Sequence, residues 1–165
     1  MRQKGIILIA LSLALALTFF AVGCAGERER SDYYPHHAEL ALTIPVEYAE
    51  FDSDSFDAAF TDGSAIVGIT RMSFAVAVAG NIPETYTASE FARWWSLKNG
   101  RNVEIKLTGD TPYYEYTDDN GYYFLLSFYR SRYAYFTVLF TCASEKKEEY
   151  RPLFVNYAKD AYFTE

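Results

Sequence analysis

The sequence predicts an α+β domain, built from a mostly antiparallel β-sheet with helices packed against it. Three observations support this fold class. Short strand-like segments follow one another through turns of two to four residues, which suit antiparallel neighbours. Two amphipathic helical segments lie apart from these strands. Half of the 165 residues are hydrophobic, which suits a single globular core.

The first part of the domain predicts a strand and a hairpin. Alternating apolar residues at 40–44 indicate a strand that a proline ends. Residues 56–61 and 64–72 flank an Asp-Gly pair at 62–63, which suits a two-residue turn because both positions need positive φ. Residues 73–85 are small and apolar and are then broken by glycine and proline, so we expect an irregular connection there.

Residues 87–100 carry the clearest helix signal. Thr87 and Glu90 form a capping box, in which each side chain satisfies a free backbone donor of the other residue. An apolar stripe follows at helical spacing and includes Phe91, Trp94 and Trp95. We expect the tryptophans to belong mainly to the core, with an aromatic ligand platform as the alternative for one of them.

A meander of strands and a closing helix complete the predicted domain. Residues 103–107 alternate as a half-exposed strand would, and three further strands follow at residues 113–117, 122–130 and 133–142. The last two are apolar on both faces, which is typical of the middle of a covered sheet. Residues 144–162 show helical spacing, and Pro152 is expected to kink or restart that helix.

The N-terminus predicts where the protein works. Arg2 and Lys4 precede an apolar run at residues 6–22, and Ala-Val-Gly-Cys follows at residues 21–24. This arrangement resembles a bacterial lipoprotein signal peptide with its lipobox, which implies cleavage before Cys24 and lipid attachment to its thiol. The alternative is an uncleaved membrane anchor, because such a run lies at the short edge of what spans ~30 Å of hydrocarbon. Both interpretations place the remaining chain at the cell membrane, facing outside the cytoplasm.

Three segments are therefore predicted. They are a signal peptide at residues 1–23, the lipid-bearing cysteine with a flexible tether at residues 24–37, and one domain at residues 38–165. The tether is charged and unpatterned. His36 and His37 lie on it, and we favour a solvated linker over a metal site because no cysteine or carboxylate cluster of suitable spacing accompanies them.

Charge limits the possible partners. Without residues 1–23 the chain carries 13 Lys and Arg against 22 Asp and Glu, a net charge of −9. Such a surface repels the phosphates of nucleic acids and the head groups of anionic lipids. We therefore expect no nucleic acid partner, and a membrane contact made through the lipid alone.

Known catalytic and metal-binding patterns do not occur in the sequence, so we assign no catalytic residue, metal or cofactor. Cys142 lies on the apolar face of a predicted strand, which indicates a buried, inert thiol. Two oxygen-rich loops, at residues 52–57 and 118–121, could hold calcium. Neither has the EF-hand pattern, and solvated turns are the preferred interpretation.

Tyrosine is unusually abundant, with 15 residues in the chain. Several lie on consecutive predicted strands, and we take six as a candidate binding surface: Tyr113, Tyr114, Tyr116, Tyr123, Tyr133 and Tyr135. Cross-strand aromatic pairing would explain most of them. The functional alternative is an exposed surface for a protein or a sugar chain, because tyrosine offers an apolar face and a hydrogen-bonding tip.

Together, the Leu-Thr-Ile-Pro at residues 42–45, the tyrosine-rich meander and the closing amphipathic helix resemble the PsbP-like domain. That domain occurs in photosystem extrinsic subunits and in small bacterial lipoproteins, and the resemblance covers residues 38–163. It implies an α/β/α sandwich and a non-enzymatic accessory or binding role.

Three functions follow from these observations. The leading hypothesis is a membrane-anchored lipoprotein that serves as an accessory or binding module for an envelope protein. The second is a lipoprotein that captures a glycan or small molecule in a concave pocket. The third, a hydrolase, would need two carboxylates ~5–10 Å apart in a cleft.

Overall fold

The structure of the protein is a computed structural model that describes residues 30–33 and 40–164. The signal peptide, Cys24 and the two histidines lie outside these residues, so the interpretations that concern them stay predictions. Among the helices of the described part of the chain, none is long and apolar enough to cross a membrane.

Ten strands and three helices make up the described chain. The strands are β1 (Arg30–Tyr33), β2 (Leu40–Pro45), β3 (Ala49–Glu50), β4 (Ala58–Thr61), β5 (Ala65–Ser73), β6 (Lys106–Thr108), β7 (Thr111–Thr117), β8 (Tyr122–Arg130), β9 (Ala134–Ala143) and β10 (Tyr162–Phe163). The helices are α1 (Phe74–Ala79), α2 (Ala88–Lys98) and α3 (Lys147–Asp160), and a 3₁₀ turn at Ser144–Lys146 precedes α3.

The predicted antiparallel sheet is confirmed. Seven strands form one sheet in the order β3-β4-β5-β9-β8-β7-β6, and each neighbouring pair is antiparallel. A small sheet, β1-β2-β10, lies apart from it and is also antiparallel. The capping box of α2 is confirmed as well, since the Glu90 amide donates to Thr87 Oγ1 at 3.2 Å and the Thr87 amide donates to Glu90 Oε2 at 2.8 Å.

Both faces of the central sheet are covered, as the two-sided strands predict. One face packs against α3 and β2 in a larger core that includes Leu125 and Phe154. The other packs against α1 and α2 in a smaller core that includes Leu126 and Phe128. Cys142 is a buried free thiol in the larger core, and burial raises its pKa to about 11, which fits the expected inert role.

One expectation about helices is wrong, and of the two alternatives expected at Pro152 the restart does not occur. The connection at residues 73–85 contains α1, because Ser73 Oγ accepts from the Val76 amide at 3.4 Å and the Gly80 amide closes the other end on the Val76 and Ala77 carbonyls. Helix α3 continues through Pro152 rather than restarting there. The proline removes one amide donor from an otherwise continuous helix.

Two further corrections concern strands. Residues 30–33 fall in the predicted tether but form β1, which pairs with β2 so that Arg30 lies opposite Pro45. The strand expected at residues 103–107 is shorter and shifted. Of residues 103–108, only Lys106–Thr108 pairs with β7. Val103 and Ile105 pack instead against the smaller core.

Candidate functional site

The six candidate tyrosines do not form one surface. Four are buried, two in each core: Tyr113, Tyr123, Tyr114 and Tyr135. Alternation along each strand sends successive side chains to opposite faces, and both faces of this sheet are covered. Tyr116 is partly buried and stacks on Phe124, with ring centroids 4.9 Å apart. Tyr133 alone of the six is exposed, at 56%.

Several buried tyrosines bind other parts of the fold through their hydroxyls. Tyr135 donates to the Pro83 carbonyl at 2.7 Å, across the smaller core. Tyr129 donates to the Ala158 carbonyl of α3, also at 2.7 Å. These hydroxyls fasten helices and loops to the sheet, so the abundance of tyrosine serves the fold more than a surface.

Tyr133 lies beside an exposed apolar helix at one end of the central sheet. The Phe74 amide donates to the Tyr133 carbonyl at 3.1 Å, which fixes the start of α1 next to this residue. All six residues of α1 are hydrophobic, yet only Ala77 is buried. Val76 and Val78 are 60% and 53% exposed. The two valines point to different sides of the helix, and the exposed Ala75 and Ala79 lie between them, so the solvent-facing surface of α1 is apolar throughout. Exposed apolar surface of this kind is typical of an interaction site.

Neither the core nor local helix preference explains Val76 and Val78 of α1. Valine is a weak helix former because its branched side chain loses rotamer freedom. Polar residues at positions 76 and 78 would leave the buried Ala77 in place. We therefore take the exposed valines as a feature of the surface rather than of folding.

Two arginines border this helix. The Arg130 guanidinium carbon lies 5.1 Å from the centroid of the Phe74 ring, and that of Arg132 lies 5.5 Å from the Tyr133 ring. Both arginines are exposed. We call α1, Tyr133, Arg130 and Arg132 together the apolar end. Of its two arginines, Arg130 lies beside the exposed Glu84 and Glu90, in a chain whose net charge is −7.

A separate charged cluster surrounds Glu115 of β7. Its carboxylate, 11% exposed, accepts two bonds from Arg151 at 2.8 and 2.9 Å and one from Lys106 at 2.8 Å. The Tyr123 hydroxyl also donates to it, at 2.5 Å. Burial by itself raises the pKa of Glu115, but the hydrogen bonds from these three partners lower it to about 2. A carboxylate held ionised in this way suits a clamp between α3 and the sheet, whereas a general acid needs a raised pKa.

One carboxylate of each oxygen-rich loop, and Asp62 of the β4–β5 turn, accept hydrogen bonds from the surrounding fold. Asp57 accepts from the Arg71 amide at 2.6 Å, and Asp118 accepts from the Tyr122 amide at 2.8 Å. Asp62 accepts from the Ala65 amide at 2.7 Å and from the Tyr150 hydroxyl at 2.9 Å. Within residues 30–33 and 40–164, no group of three or more His, Cys, Asp and Glu side chains is placed to hold a metal ion.

Sequence reasoning missed α1 and the arginines beside it. The available signal was the run Phe-Ala-Val-Ala-Val-Ala at residues 74–79, bounded by a serine and a glycine, which are common cap residues. Six residues are too few for helical periodicity to stand out. Their exposure depends on where the sheet ends, which the sequence does not reveal.

Comparison with known proteins identifies the fold. No protein-family model matches the chain, and no curated protein matches it. Among solved structures, it is similar to cyanobacterial PsbP (CyanoP) from Synechocystis sp. PCC 6803, with 16% identity, a TM-score of 0.57, and coverage of 88% of this chain and 99% of that one. A protein from Bacteroides thetaiotaomicron VPI-5482 is also similar, with 13% identity, a TM-score of 0.49, and coverage of 77% and 46%. The similarity to CyanoP shows that the chain has the PsbP-like α+β fold.

Proposed function

We propose that the protein is an extracytoplasmic accessory module, anchored to the membrane by lipid on Cys24, that binds an envelope protein and catalyses no reaction. The observation that carries this proposal is the exposed apolar end, where α1 presents Val76 and Val78 to solvent. The PsbP-like fold supports it as an analogy, since the fold alone does not define a function.

The carboxylates of the described chain fit a structural role better than a catalytic one. Glu115 is held ionised by Arg151 and Lys106, and Asp62 caps the β4–β5 turn. A hydrolase would need one carboxylic acid with a raised pKa facing a second carboxylate across a cleft. The binding hypothesis needs no such pair.

The anchor is tested by labelling cells with a fatty acid. Cys24→Ala should abolish the label and leave an uncleaved precursor, whereas the parent chain should carry lipid. Cys142→Ala is the matched control, because that thiol is buried in the larger core and should not affect lipid attachment. Unchanged labelling of the Cys24 variant would reject the anchor.

The partner is tested by chemical crosslinking in intact cells that express a tagged chain with its native Cys24. One envelope protein should recur across crosslinkers and growth conditions. Recovery of the tagged chain alone under all conditions would reject the accessory role.

A binding site for a glycan is the second candidate, and the tryptophans of α2 favour it. Trp94 and Trp95 are both partly exposed, and Trp94 stacks on Phe91 with ring centroids 6.1 Å apart. Flat aromatic faces of this kind can bind sugar rings. Titration with envelope glycans should change the fluorescence of the parent chain, and Trp94→Ala should weaken binding. An unchanged spectrum would reject this candidate.

A further inference from the structure

We infer that the apolar end faces away from the membrane and docks a partner protein. The surface of the partner that it binds is a water-exposed apolar patch bordered by carboxylates. This inference deepens the proposed function and rests on its lipid anchor at Cys24. It specifies which end of the fold binds, and the chemistry of the surface that it binds.

The described chain enters the fold at the end opposite to α1. Arg30, the first residue of β1, lies opposite Pro45. The Pro45 carbonyl accepts from the Tyr48 amide at 3.1 Å, and the Tyr48 hydroxyl lies close to the Asp62 carboxylate, although without hydrogen-bond geometry. Asp62 belongs to the turn before β5. The entry of the chain and the β4–β5 turn therefore share one end of the sheet.

Strand β5 separates that end from the apolar end. It runs from Ala65 to Ser73, and α1 begins at the next residue. Nine residues of strand span ~26 Å at ~3.3 Å per residue. Arg30 is six positions after Cys24 in the sequence, which limits their separation to ~20 Å. Lipid at Cys24 thus keeps the entry of the chain within ~20 Å of the bilayer, whereas α1, at the far end of the strand, can lie farther away.

Charge indicates what the partner presents. Arg130 and Arg132 border the apolar helix, and the Arg130 guanidinium is already oriented by a 3.1 Å bond to the Glu84 carbonyl. The nearby Glu90 carboxylate is engaged in the capping box of α2. A complementary partner therefore has apolar residues that cover Val76 and Val78, with Asp or Glu side chains at the edge.

A second copy of this chain is a poor fit for the same surface. A two-fold dimer through α1 would place the arginines of both copies around one small patch, and like charges disfavour that arrangement. A covalent trap detects a complex with another protein even when that complex is transient.

The test is site-specific photo-crosslinking in intact cells, with a photoreactive amino acid in place of single residues of the full chain. Val76 and Val78 probe the apolar end. Val46, next to Pro45, is the matched exposed valine at the opposite end, and Leu107 is an exposed leucine on β6. We expect one recurring protein adduct at Val76 and Val78 and none at Val46. Its crosslinked peptide should be water-exposed, apolar, and flanked by Asp or Glu.

Every other outcome would reject a specific part of the proposal. Adducts to lipid at Val76 would show that the apolar end contacts the bilayer, and adducts to the chain itself would show a second copy. A protein adduct only at Val46 or Leu107 would leave the accessory function standing and overturn the docking surface. No protein adduct at any of the four positions would overturn both.

Charge reversal tests the chemistry of the partner. Arg132→Glu should lower the yield of the Val76 adduct at least tenfold, because it places like charges across the interface. Arg93→Glu is the control, since Arg93 is an exposed arginine on α2 outside the apolar end. Equal yields from the two variants would reject the carboxylate-bordered partner. Arg132 is exposed and its guanidinium lies over the exposed Tyr133 ring, so this variant is expected to fold.

Discussion

At the scale of single residues, the carboxylate of Glu115 ties α3 and β6 to the central strands. It is mostly buried and bound by Arg151, Lys106 and Tyr123. Glu115→Gln keeps the volume but leaves two cations without their counter-ion, so we expect a loss of about 2 kcal/mol in the free energy of unfolding at pH 7. Urea denaturation measures it. Glu104→Gln, at an exposed position, should change stability by less than about 0.5 kcal/mol.

The same carboxylate makes stability depend on pH. Its pKa falls from an ordinary 4.5 to about 2 in the folded chain, so folding favours the ionised form. Its contribution is therefore complete above about pH 4.5 and is lost as the pH falls towards 2. The stability difference between the parent chain and Glu115→Gln should shrink over this interval. A difference that stays constant from pH 7 to pH 3 would contradict the assignment.

Two tyrosines at the β4–β5 turn should respond differently to loss of the hydroxyl. Tyr150 donates to Asp62 at 2.9 Å, so Tyr150→Phe should cost about 1 kcal/mol. Among the described residues, no group lies in hydrogen-bond geometry with the buried Tyr48 hydroxyl, although Asp62 is near it, so Tyr48→Phe should leave stability unchanged or raise it. Thermal unfolding of both variants in one buffer measures the contrast. Equal losses would show that Asp62 binds both hydroxyls.

At the scale of secondary-structure elements, β5 depends on a glycine. A Cβ atom added at Gly68 would lie 2.5 Å from atoms of the Phe56 ring, so this ring occupies the space above the strand. Gly68→Ala should lower stability by about 1–3 kcal/mol through overpacking. The variant with both Gly68→Ala and Phe56→Ala should lose less than the sum of the two single changes. Additive losses, measured by denaturation of all four proteins, would contradict this packing.

Elements with several agreeing signals could be predicted, and those with one weak signal could not. Strand β8 has its predicted bounds, Tyr122–Arg130, because its residues are apolar on both faces and turn residues flank it. Helix α2 was predictable from its capping box. The burial of four of the six candidate tyrosines could not be predicted. Strand alternation predicts that side chains divide between two faces but does not show what covers each face. Helix α1 is too short for its period to be visible.

At the scale of the whole molecule, one sheet supplies both cores, so the two sides should unfold together. Phe154 of α3 lies in the larger core, whereas both tryptophans of the chain lie on α2 beside the smaller one. Tryptophan fluorescence thus reports on the side opposite to Phe154. Phe154→Ala should destabilise the fold by about 3–5 kcal/mol and shift the fluorescence and circular dichroism transitions equally.

The matched variant Phe128→Ala removes a buried ring of the smaller core. It should shift both transitions equally as well, because β8 contributes Leu125 to one core and Phe128 to the other. A fluorescence midpoint that Phe154→Ala leaves unchanged, while circular dichroism shifts, would show that the two sides unfold separately. Coincident transitions would mean that loss of packing under α3 also destabilises α1 and α2, because β8 and β9 are shared by both cores.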